Sequence, residues 1–327
     1  MTTQNIKKIA IISGKGGTGK TFISASFAVL AKNNISSSQI GFRVQADEQS
    51  VSDIHGQGRL KNEMTEIQFG KSIVADCDVD AANLHLLLNT DNNQTFSFHS
   101  GNQYTINSKD CIQCGQCKHL CNYDAISSDY HIDPIACEGC GACYFVCPAK
   151  AITASAKYTG QYFISETPYG PFVHARLNIG EDNSGKLVSQ VRETTDKVTK
   201  ENNYSLQIID GPPGIGCPVT ATLTGIDLSI IVTEPTLSGI HDLERIIELS
   251  QHFDVPVKII INKCDINAKN TKAIENYAQK KQISVIGKIP YCPDIIKSLV
   301  SHKIFIEQYP KHSISQTIKS IWGKALI

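Results

Sequence analysis

The sequence predicts an α/β fold in which a doubly wound, mostly parallel sheet carries a small inserted module. Two observations lead to this prediction. Short apolar runs with the length of buried strands alternate with polar segments of helical pattern, and these runs lie at residues 6–13, 72–75, 206–209, 228–233, 257–261 and 285–289. A group of closely spaced cysteines interrupts the alternation between the second and third of these runs.

The length and composition limit the classes of protein to which the chain can belong. Its 327 residues correspond to about two domains of roughly 100–200 residues each. Hydrophobic residues make up 41% and charged residues 19%, which allows a normal core and argues against wholesale disorder. The 31 basic residues balance the 31 acidic ones, so we expect no nucleic-acid partner and no membrane-coating surface. No apolar run approaches the roughly 20 residues that span a bilayer, and the polar start does not resemble a signal peptide. We therefore expect a cytoplasmic protein.

Two segments interrupt the strand–helix alternation. Residues 35–69 are rich in polar residues and glycine and lack periodicity, and deleting them would leave an ordinary connection of about 2–6 residues between a helix and a strand. A flexible insertion is the simplest interpretation, and a mobile arm or a partner-binding loop are alternatives. The second segment, residues 103–155, contains the cysteine group. It divides the α/β domain into a first part, residues 1–102, and a second part, residues 156–327.

A glycine-rich loop that ends in a lysine and a threonine follows the first predicted strand and opens the first predicted helix. Its residues fit the pattern G-x-x-x-x-G-K-[ST], and they are Gly14, Lys15, Gly16, Gly17, Thr18, Gly19, Lys20 and Thr21. Glycines let backbone N–H groups turn around phosphate oxygens, and the helix N-terminus adds partial positive charge. Lys20 is expected to reach the β- and γ-phosphates, and the Thr21 hydroxyl to bind Mg²⁺. The alternative is a glycine-rich turn without this function.

The second lysine of the loop, Lys15, makes the loop similar to the deviant Walker A motif of the MinD/ParA/Mrp superfamily of P-loop ATPases, which includes the nitrogenase iron protein. The resemblance implies a P-loop NTPase fold and ATP as the nucleotide. It also implies a homodimer in the ATP state, in which Lys15 contacts the nucleotide of the partner. Lys15 and Lys20 would then offset the charge that develops during hydrolysis. An exposed loop lysine without this role is the alternative.

Two acidic segments extend the resemblance. Asp76-Cys77-Asp78 resembles the D-x-D switch segment of the family, which implies that Asp78 orients the attacking water and that Asp76 supports Mg²⁺ through a water. The alternative is that these acids only cap the next helix. Asp210 ends an apolar strand and is followed by Gly211-Pro212-Pro213-Gly214. This run resembles the Walker B and switch II segments of the family, which implies that Asp210 lies near Mg²⁺.

The base of the nucleotide has one predicted contact. Residues 262–265 read N-K-x-D after the strand at residues 257–261, so Asn262 is expected to hydrogen-bond the purine. This element is best known from GTPases, and adenine is implied only by the resemblance to the superfamily. Residues 287–291 would form the loop that closes over the base.

Eight of the twelve cysteines form two repeats at an offset of 26 residues. Each repeat reads C-x2-C-x2-C-x3-C, and the positions are Cys111, Cys114, Cys117 and Cys121, then Cys137, Cys140, Cys143 and Cys147. Tight clustering in a long chain indicates metal binding rather than a disulfide scaffold. The pattern resembles the run of bacterial two-cluster ferredoxins, in which the fourth cysteine of each run ligates the other cluster.

The ferredoxin resemblance therefore implies two [4Fe–4S] clusters in an inserted small α+β domain. The implied ligands of cluster one are Cys111, Cys114, Cys117 and Cys147, and those of cluster two are Cys137, Cys140, Cys143 and Cys121. Pro148 follows Cys147 as the pattern requires, whereas Asn122 stands where a second proline is expected after Cys121. Two structural zinc sites are the alternative.

The whole chain resembles MinD-superfamily ATPases with an inserted ferredoxin domain. This resemblance implies an ATP-hydrolysing iron–sulfur protein that couples nucleotide state to two clusters in electron transfer, with an unidentified redox or iron–sulfur protein as partner. The alternatives are an ATPase for iron–sulfur cluster assembly and delivery, and a non-redox regulatory or positioning ATPase. No CxxC pair follows Cys147, which counts against a simple cluster carrier. The apolar residues between 314 and 325 have helical spacing and are expected to pack on the sheet rather than on a membrane.

Overall fold

The structure is a computed structural model, and it describes residues 6–36, 71–181 and 184–327. Apart from the end of the first helix, the segment predicted as an insertion at residues 35–69 therefore lies outside the described residues. The strands are β1 Lys7–Ser13, β2 Ser72–Asp76, β3 Asp91–Ile106, β4 Ile152–Thr167, β5 Gly170–Leu177, β6 Leu206–Pro213, β7 Leu228–Thr233, β8 Val257–Asn262 and β9 Ser284–Ile289. The helices are α1 Lys20–Ser36, α2 Leu84–Leu88, α3 Gln116–Leu120, α4 Ala142–Val146, α5 Ser184–Glu201, α6 Cys217–Leu223, α7 Leu237–His252, α8 Ala268–Lys280, α9 Pro293–Val300, α10 Phe305–Gln308 and α11 Ser313–Leu326.

In the described part of the chain the nine strands form one sheet, in the order β3-β4-β5-β2-β6-β1-β7-β8-β9. The seven strands from β5 to β9 in this order are parallel, and only β4 runs antiparallel to its two neighbours. The predicted mostly parallel α/β sheet is therefore confirmed. The order also places the ends of β1, β2, β6, β7 and β8 at one edge of the sheet, where parallel α/β folds bind ligands.

Helices cover both faces of the parallel part because successive residues of a strand point to opposite sides. In β1, Ile9 and Ile11 belong to one buried cluster, which also contains residues of α1 and α11. Ala10 and Ile12 belong to the other cluster, with residues of α5, α6, α7 and α8. The almost uninterrupted apolar strands of the sequence are thus explained by burial on both faces, as the doubly wound prediction requires.

The C-terminal helix α11 packs on the sheet, as expected. Its apolar residues Ile314, Ile318, Ile321, Trp322 and Ala325 are all buried. The Trp322 ring packs against the ring of Phe27 in α1, with 4.8 Å between the centroids. The apolar face of α11 is therefore packed in the core and does not face a membrane surface.

The insert is carried on a two-stranded ribbon formed by β3 and β4. Leu177, the last residue of β5, pairs with Gly160 of β4, so residues 152–159 of β4 extend beyond β5 and pair only with β3. Eight residues of extended chain span about 25 Å. The insert therefore projects from the same edge of the sheet as the phosphate loop. The domain boundaries predicted after residue 102 and after residue 155 fall inside these two strands.

The sequence repeat of the insert is also a repeat of backbone conformation. Helices α3 and α4 begin and end 26 residues apart and pack against each other. Left-handed backbone recurs at the same offset, in the pairs Gln113 and Gly139, Gly115 and Gly141, and Asp124 and Lys150. Glycine is required at one of these positions, because a side chain at Gly139 would place its Cβ 2.7 Å from the carbonyl oxygen of Asn102.

Candidate functional site

The phosphate loop lies between the end of β1 and the start of α1. Gly17 and Gly19 adopt left-handed backbone conformations, with φ of 76° and 98°. A Cβ atom at Gly19 would lie 2.5 Å from the side-chain nitrogen of Asn262, so the loop approaches β8 too closely for another residue. Lys20 is only 6% exposed although it is charged. A buried ammonium at the N-terminus of a helix, inside a glycine-rich loop, fits a phosphate group.

Two buried carboxylates lie beside this loop. Asp76 and Asp210 end neighbouring strands and are partners in the register of β2 and β6. Burial raises the pKa of Asp210 to about 6, although Lys20 and the hydroxyls of Ser24 and Thr21 act to lower it. Burial and the charge of Asp210 raise the pKa of Asp76 well above its usual range. Two buried acids next to a threonine hydroxyl give the oxygen ligands that Mg²⁺ prefers, and Mg²⁺ keeps several of its waters.

The switch segment after β2 is held by the carboxylate of Asp76. Its Oδ1 accepts a hydrogen bond from the Asp78 backbone N–H at 3.0 Å, and its Oδ2 accepts one from the Leu84 N–H at 3.3 Å. Because Leu84 begins α2, the capping contact that was considered as an alternative is present for Asp76. Asp78 is half-buried; burial raises its pKa, and the charge of Lys20 lowers it. The structure therefore brings Asp78 near Lys20, and its water-orienting role stays a prediction.

The side chain of Lys15 lies against residues that follow β7. Its Nζ atom is 2.5 Å from Oε1 of Glu234, and Nζ of Lys263 is 2.8 Å from Oε2 of the same carboxylate. Glu234 is 8% exposed. No role for Glu234 or Lys263 was predicted from the sequence. The available signal was a charged residue directly after each of two apolar strands that end at the phosphate-loop edge.

Asn262 supports the phosphate loop itself. Its Nδ2 donates to the Thr18 carbonyl oxygen at 2.8 Å, and its Oδ1 accepts from the Lys263 N–H at 3.0 Å. The predicted purine contact would therefore use the remaining hydrogen or lone pair of this amide. The Asp265 carboxylate accepts a hydrogen bond from the Tyr291 N–H at 2.6 Å, which fixes the end of the segment predicted to close over the base. Asn262 thus has a structural contact that the sequence did not reveal, and its contact to a base stays a prediction.

The eight cysteines of the insert line two separate cavities. One cavity, which is partly open to solvent, is lined by Cys111, Cys114, Cys117 and Cys147. The other, also partly open, is lined by Cys121, Cys137, Cys140 and Cys143. In each cavity the fourth cysteine comes from the other repeat. These are the two sets of four that the ferredoxin resemblance implies.

The sulfur atoms of the insert receive backbone hydrogen bonds. The Ala151 N–H donates to Sγ of Cys147 at 3.3 Å. Burial raises the pKa of Cys117, and the Lys118 N–H lowers it; burial likewise raises the pKa of Cys143, which the Tyr144 N–H lowers. Backbone N–H groups directed at sulfur stabilise thiolates and bound clusters. Within residues 6–36, 71–181 and 184–327, no group of three or more His, Cys, Asp or Glu side chains has an arrangement that could hold a metal ion.

The other cysteines lie apart from these cavities. Cys77 is fully buried between the two switch acids, and burial raises the pKa of its thiol to about 12. A thiol with such a pKa is unreactive. Cys217 is exposed at the start of α6.

Among the residues that the structure describes, no helix is both long and apolar enough to cross a membrane.

The fold, the glycine-rich loop and the acids at its edge define a P-loop nucleotide-binding protein. The chain belongs to the family of the CobQ/CobB/MinD/ParA nucleotide binding domain, which it matches over residues 67–305. An uncharacterized protein of Methanocaldococcus jannaschii is 33% identical over 320 residues, which cover 98% of this chain and 96% of that protein. The predicted membership of the MinD/ParA family of P-loop ATPases is thereby confirmed. The family match concerns the nucleotide-binding domain, so the iron–sulfur interpretation of the insert stays a prediction.

Two further proteins are similar to this chain, one in its fold and one over about a third of its sequence. The septum site-determining protein MinD of Pyrococcus horikoshii, solved with Mg-ADP, superposes with a TM-score of 0.56 at 15% identity, covering 98% of this chain and 95% of that one. This similarity supports the fold alone. An iron–sulfur cluster carrier protein of Rickettsia conorii is 32% identical over 116 residues, which are 35% of this chain and 36% of the carrier.

Proposed function

We propose that this protein hydrolyses ATP and couples its nucleotide state to two [4Fe–4S] clusters used in electron transfer. The observation that carries the proposal is the pair of cavities in the insert, each lined by four cysteines. The insert is joined by β3 and β4 to the sheet that supports the phosphate loop. One chain therefore combines residues suited to phosphate chemistry with residues suited to iron–sulfur clusters.

The phosphate chemistry is assigned to residues at the edge of the sheet. Lys20 offsets the charge that develops on the transferred phosphoryl group, and backbone N–H groups of the loop contact the phosphates. Thr21 and Asp210 would hold Mg²⁺, with Asp76 acting through a water. Asp78 orients the attacking water from its place near Lys20. In water-excluded surroundings such as those of Lys20, preorganised charge contributes more than it would in solvent.

The iron–sulfur clusters are assigned to the two cavities. Cys111, Cys114, Cys117 and Cys147 would hold one cluster, and Cys121, Cys137, Cys140 and Cys143 would hold the other. A bound [4Fe–4S] cluster supplies one-electron transfer. The chain contributes thiolates and backbone N–H groups directed at them, such as the Ala151 N–H at Cys147, and these N–H groups tune the reduction potential.

A continuous path connects the nucleotide edge to the insert. The Asp76 carboxylate holds the first N–H of α2, and α2 leads directly into β3, which runs to the insert. His85 of α2 stacks on His174 of β5, with 5.8 Å between ring centroids, and His174 hydrogen-bonds the Ser165 hydroxyl of β4 at 2.9 Å. A shift of the switch segment on nucleotide binding would therefore act on the strands of the ribbon. The ribbon extends about 25 Å beyond β5. A shift of the switch segment would therefore reach the insert only along β3 and β4.

The ATP-bound form is proposed to be a homodimer. The support is the family to which the chain belongs, together with a lysine of the phosphate loop, Lys15, whose ammonium is paired with Glu234. A redox or iron–sulfur protein that exchanges electrons with the clusters is proposed as the physiological partner.

Anaerobic EPR spectroscopy with an iron count tests the coupling. Dithionite-reduced protein is measured before and after addition of Mg-ATP. We expect a changed spectrum with about eight iron atoms retained, because two [4Fe–4S] clusters contain that number. A spectrum that is unchanged by ATP, with full iron, would contradict coupling within the isolated protein. The Lys20→Ala variant is the matched control and should retain its iron without responding to ATP.

A second candidate function is iron–sulfur cluster delivery, which the similarity to the Rickettsia carrier favours. It predicts loss of iron to an apo-acceptor protein when ATP is added. Complete retention of iron beside such an acceptor would exclude delivery and leave electron transfer. Ligation by four cysteines in each cavity favours retention, which is why electron transfer is placed first.

A further inference from the structure

Glu234 lies between two lysines at the edge of the phosphate loop. It directly follows β7 and is 8% exposed. One carboxylate oxygen is 2.5 Å from Nζ of Lys15, and the other is 2.8 Å from Nζ of Lys263. Burial opposes ionisation of Glu234, but the two lysines hold its pKa below its usual range. The carboxylate is therefore charged at neutral pH and contacts both cations.

The ammonium of Lys15 is satisfied within its own chain. Besides Glu234, it donates to the Thr236 and Ser238 hydroxyls, each at 3.3 Å. A lysine ammonium has three N–H donors, and the three partners account for all of them. Three residues that follow β7 thus hold the ammonium of Lys15. In this position Lys15 offers no free donor to a phosphate.

Lys263 holds the loop and the carboxylate together. It donates to the Gly17 carbonyl oxygen at 3.1 Å in addition to its contact with Glu234. Removing one partner from a buried ion pair normally leaves an uncompensated charge. If Lys15 leaves, Lys263 keeps Glu234 paired, so the departure of Lys15 costs less than breaking an isolated pair.

We propose that Glu234 is a positioning residue that holds Lys15 in its own chain until Lys15 moves to the nucleotide phosphates of a second copy. Lys263 is the counter-ion that remains with Glu234 after the move. The inference rests on the proposed function, because it assumes the ATP-bound homodimer. By holding Lys15, Glu234 would set the protein concentration at which the ATP-bound dimer forms.

The test compares Glu234→Gln with a matched control, Glu275→Gln. Glu275 also lies between two lysines, with Lys288 at 2.9 Å and Lys272 at 3.4 Å, but on α8. In dilute nucleotide-free holoprotein, a short pulse of acetic anhydride labels lysines, and mass spectrometry follows Lys15. We expect labelling of Lys15 several-fold faster in Glu234→Gln than in the wild type, and an unchanged rate in Glu275→Gln. An equal rate in all three proteins would overturn the role of Glu234.

A second variant separates the proposal from general destabilisation. Lys263→Ala leaves Lys15 as the remaining cation on Glu234, so Lys15 should be held more firmly and labelled more slowly than in the wild type. A loosened loop would instead speed labelling in both variants, and that result would overturn the proposal.

Dimer formation is measured separately. Sedimentation with Mg-ATP should show a several-fold lower dissociation concentration for Glu234→Gln and a higher one for Lys263→Ala. An unchanged dissociation concentration in both variants would overturn the control of dimer formation by Glu234. A wild-type protein that stays monomeric with ATP would overturn the homodimer and the proposed contact of Lys15 with the nucleotide of a second copy. The labelling rates would still decide whether Glu234 holds Lys15.

Discussion

The nucleotide edge and the cysteine insert are built in opposite ways. The nucleotide edge takes a few residues from the ends of β1, β2, β6, β7 and β8, so its contacts join distant parts of the sequence. Lys263 contacts the Gly17 carbonyl oxygen across 246 residues. The cysteines of the insert all lie between residues 111 and 147. A site assembled by the sheet depends on strand order and register, whereas a local site depends on spacing and turns.

The largest effect that separates the two regions is expected for Lys20→Ala. Loss of the buried ammonium should lower the ATPase rate by about 10²–10³-fold, the usual cost of removing one preorganised stabilising group. The iron content should stay at the wild-type value because no residue of the phosphate loop lines either cysteine cavity. Steady-state ATPase assays and an iron determination measure both quantities. Turnover at the wild-type rate would show that the phosphate-loop assignment is wrong.

Cys114→Ala should give the reverse result. Cys114 lines only one of the two cavities, so the variant should lose about half of its iron and keep the other cluster. Nucleotide binding, measured by equilibrium titration with a fluorescent ATP analogue, should be unchanged. Cys217→Ala is the matched control, because Cys217 is exposed outside the insert and its loss should leave all iron in place. Equal iron loss in both variants would contradict the assignment of the cavities.

The smallest effect concerns the pH dependence of the nucleotide edge. Burial raises the pKa of Asp210 from 3.8 to about 6, so the folded chain binds more protons than the unfolded chain between about pH 4 and pH 6. The free energy of unfolding should therefore fall through this window as the pH rises. Asp210→Asn should remove this contribution and, in Mg²⁺-free protein at pH 7, raise the free energy of unfolding by about 1–3 kcal/mol.

Urea unfolding at pH 4 and pH 7 measures this effect as a difference between variant and wild type, which cancels the carboxyl groups that do not interact with Asp210. The difference includes the response of Asp76, because the charge of Asp210 raises the pKa of Asp76. The same variant should lose Mg²⁺-dependent ATPase activity. A pH dependence equal to that of the wild type would mean that Asp210 titrates normally in the folded chain.

The sequence predicted six strands because their apolar residues form short runs. Five of these strands, β1, β2, β6, β7 and β8, are buried on both faces, whereas β9 at the edge of the sheet has exposed residues. It did not predict β3, β4 and β5, which lie at the side of the sheet where β4 pairs antiparallel with both of its neighbours. Most residues of β3 are exposed, so its sequence shows no run and little alternation of apolar residues. An edge ribbon of this kind is stabilised by pairing with its neighbour rather than by a pattern within the strand.

The local chemistry of this protein is determined by its sequence alone. The phosphate loop needs glycines and a lysine at fixed spacing at the start of a helix, and the two cysteine repeats need short fixed spacings, so both can be identified without knowing the fold. Only the tertiary structure decided that Lys15 pairs with Glu234 and that Asn262 supports the loop, and it places the fourth cysteine of each repeat in the cavity of the other, as the ferredoxin resemblance implies. These contacts depend on strand order and on the packing of one repeat against the other, which bring together side chains that no local pattern relates.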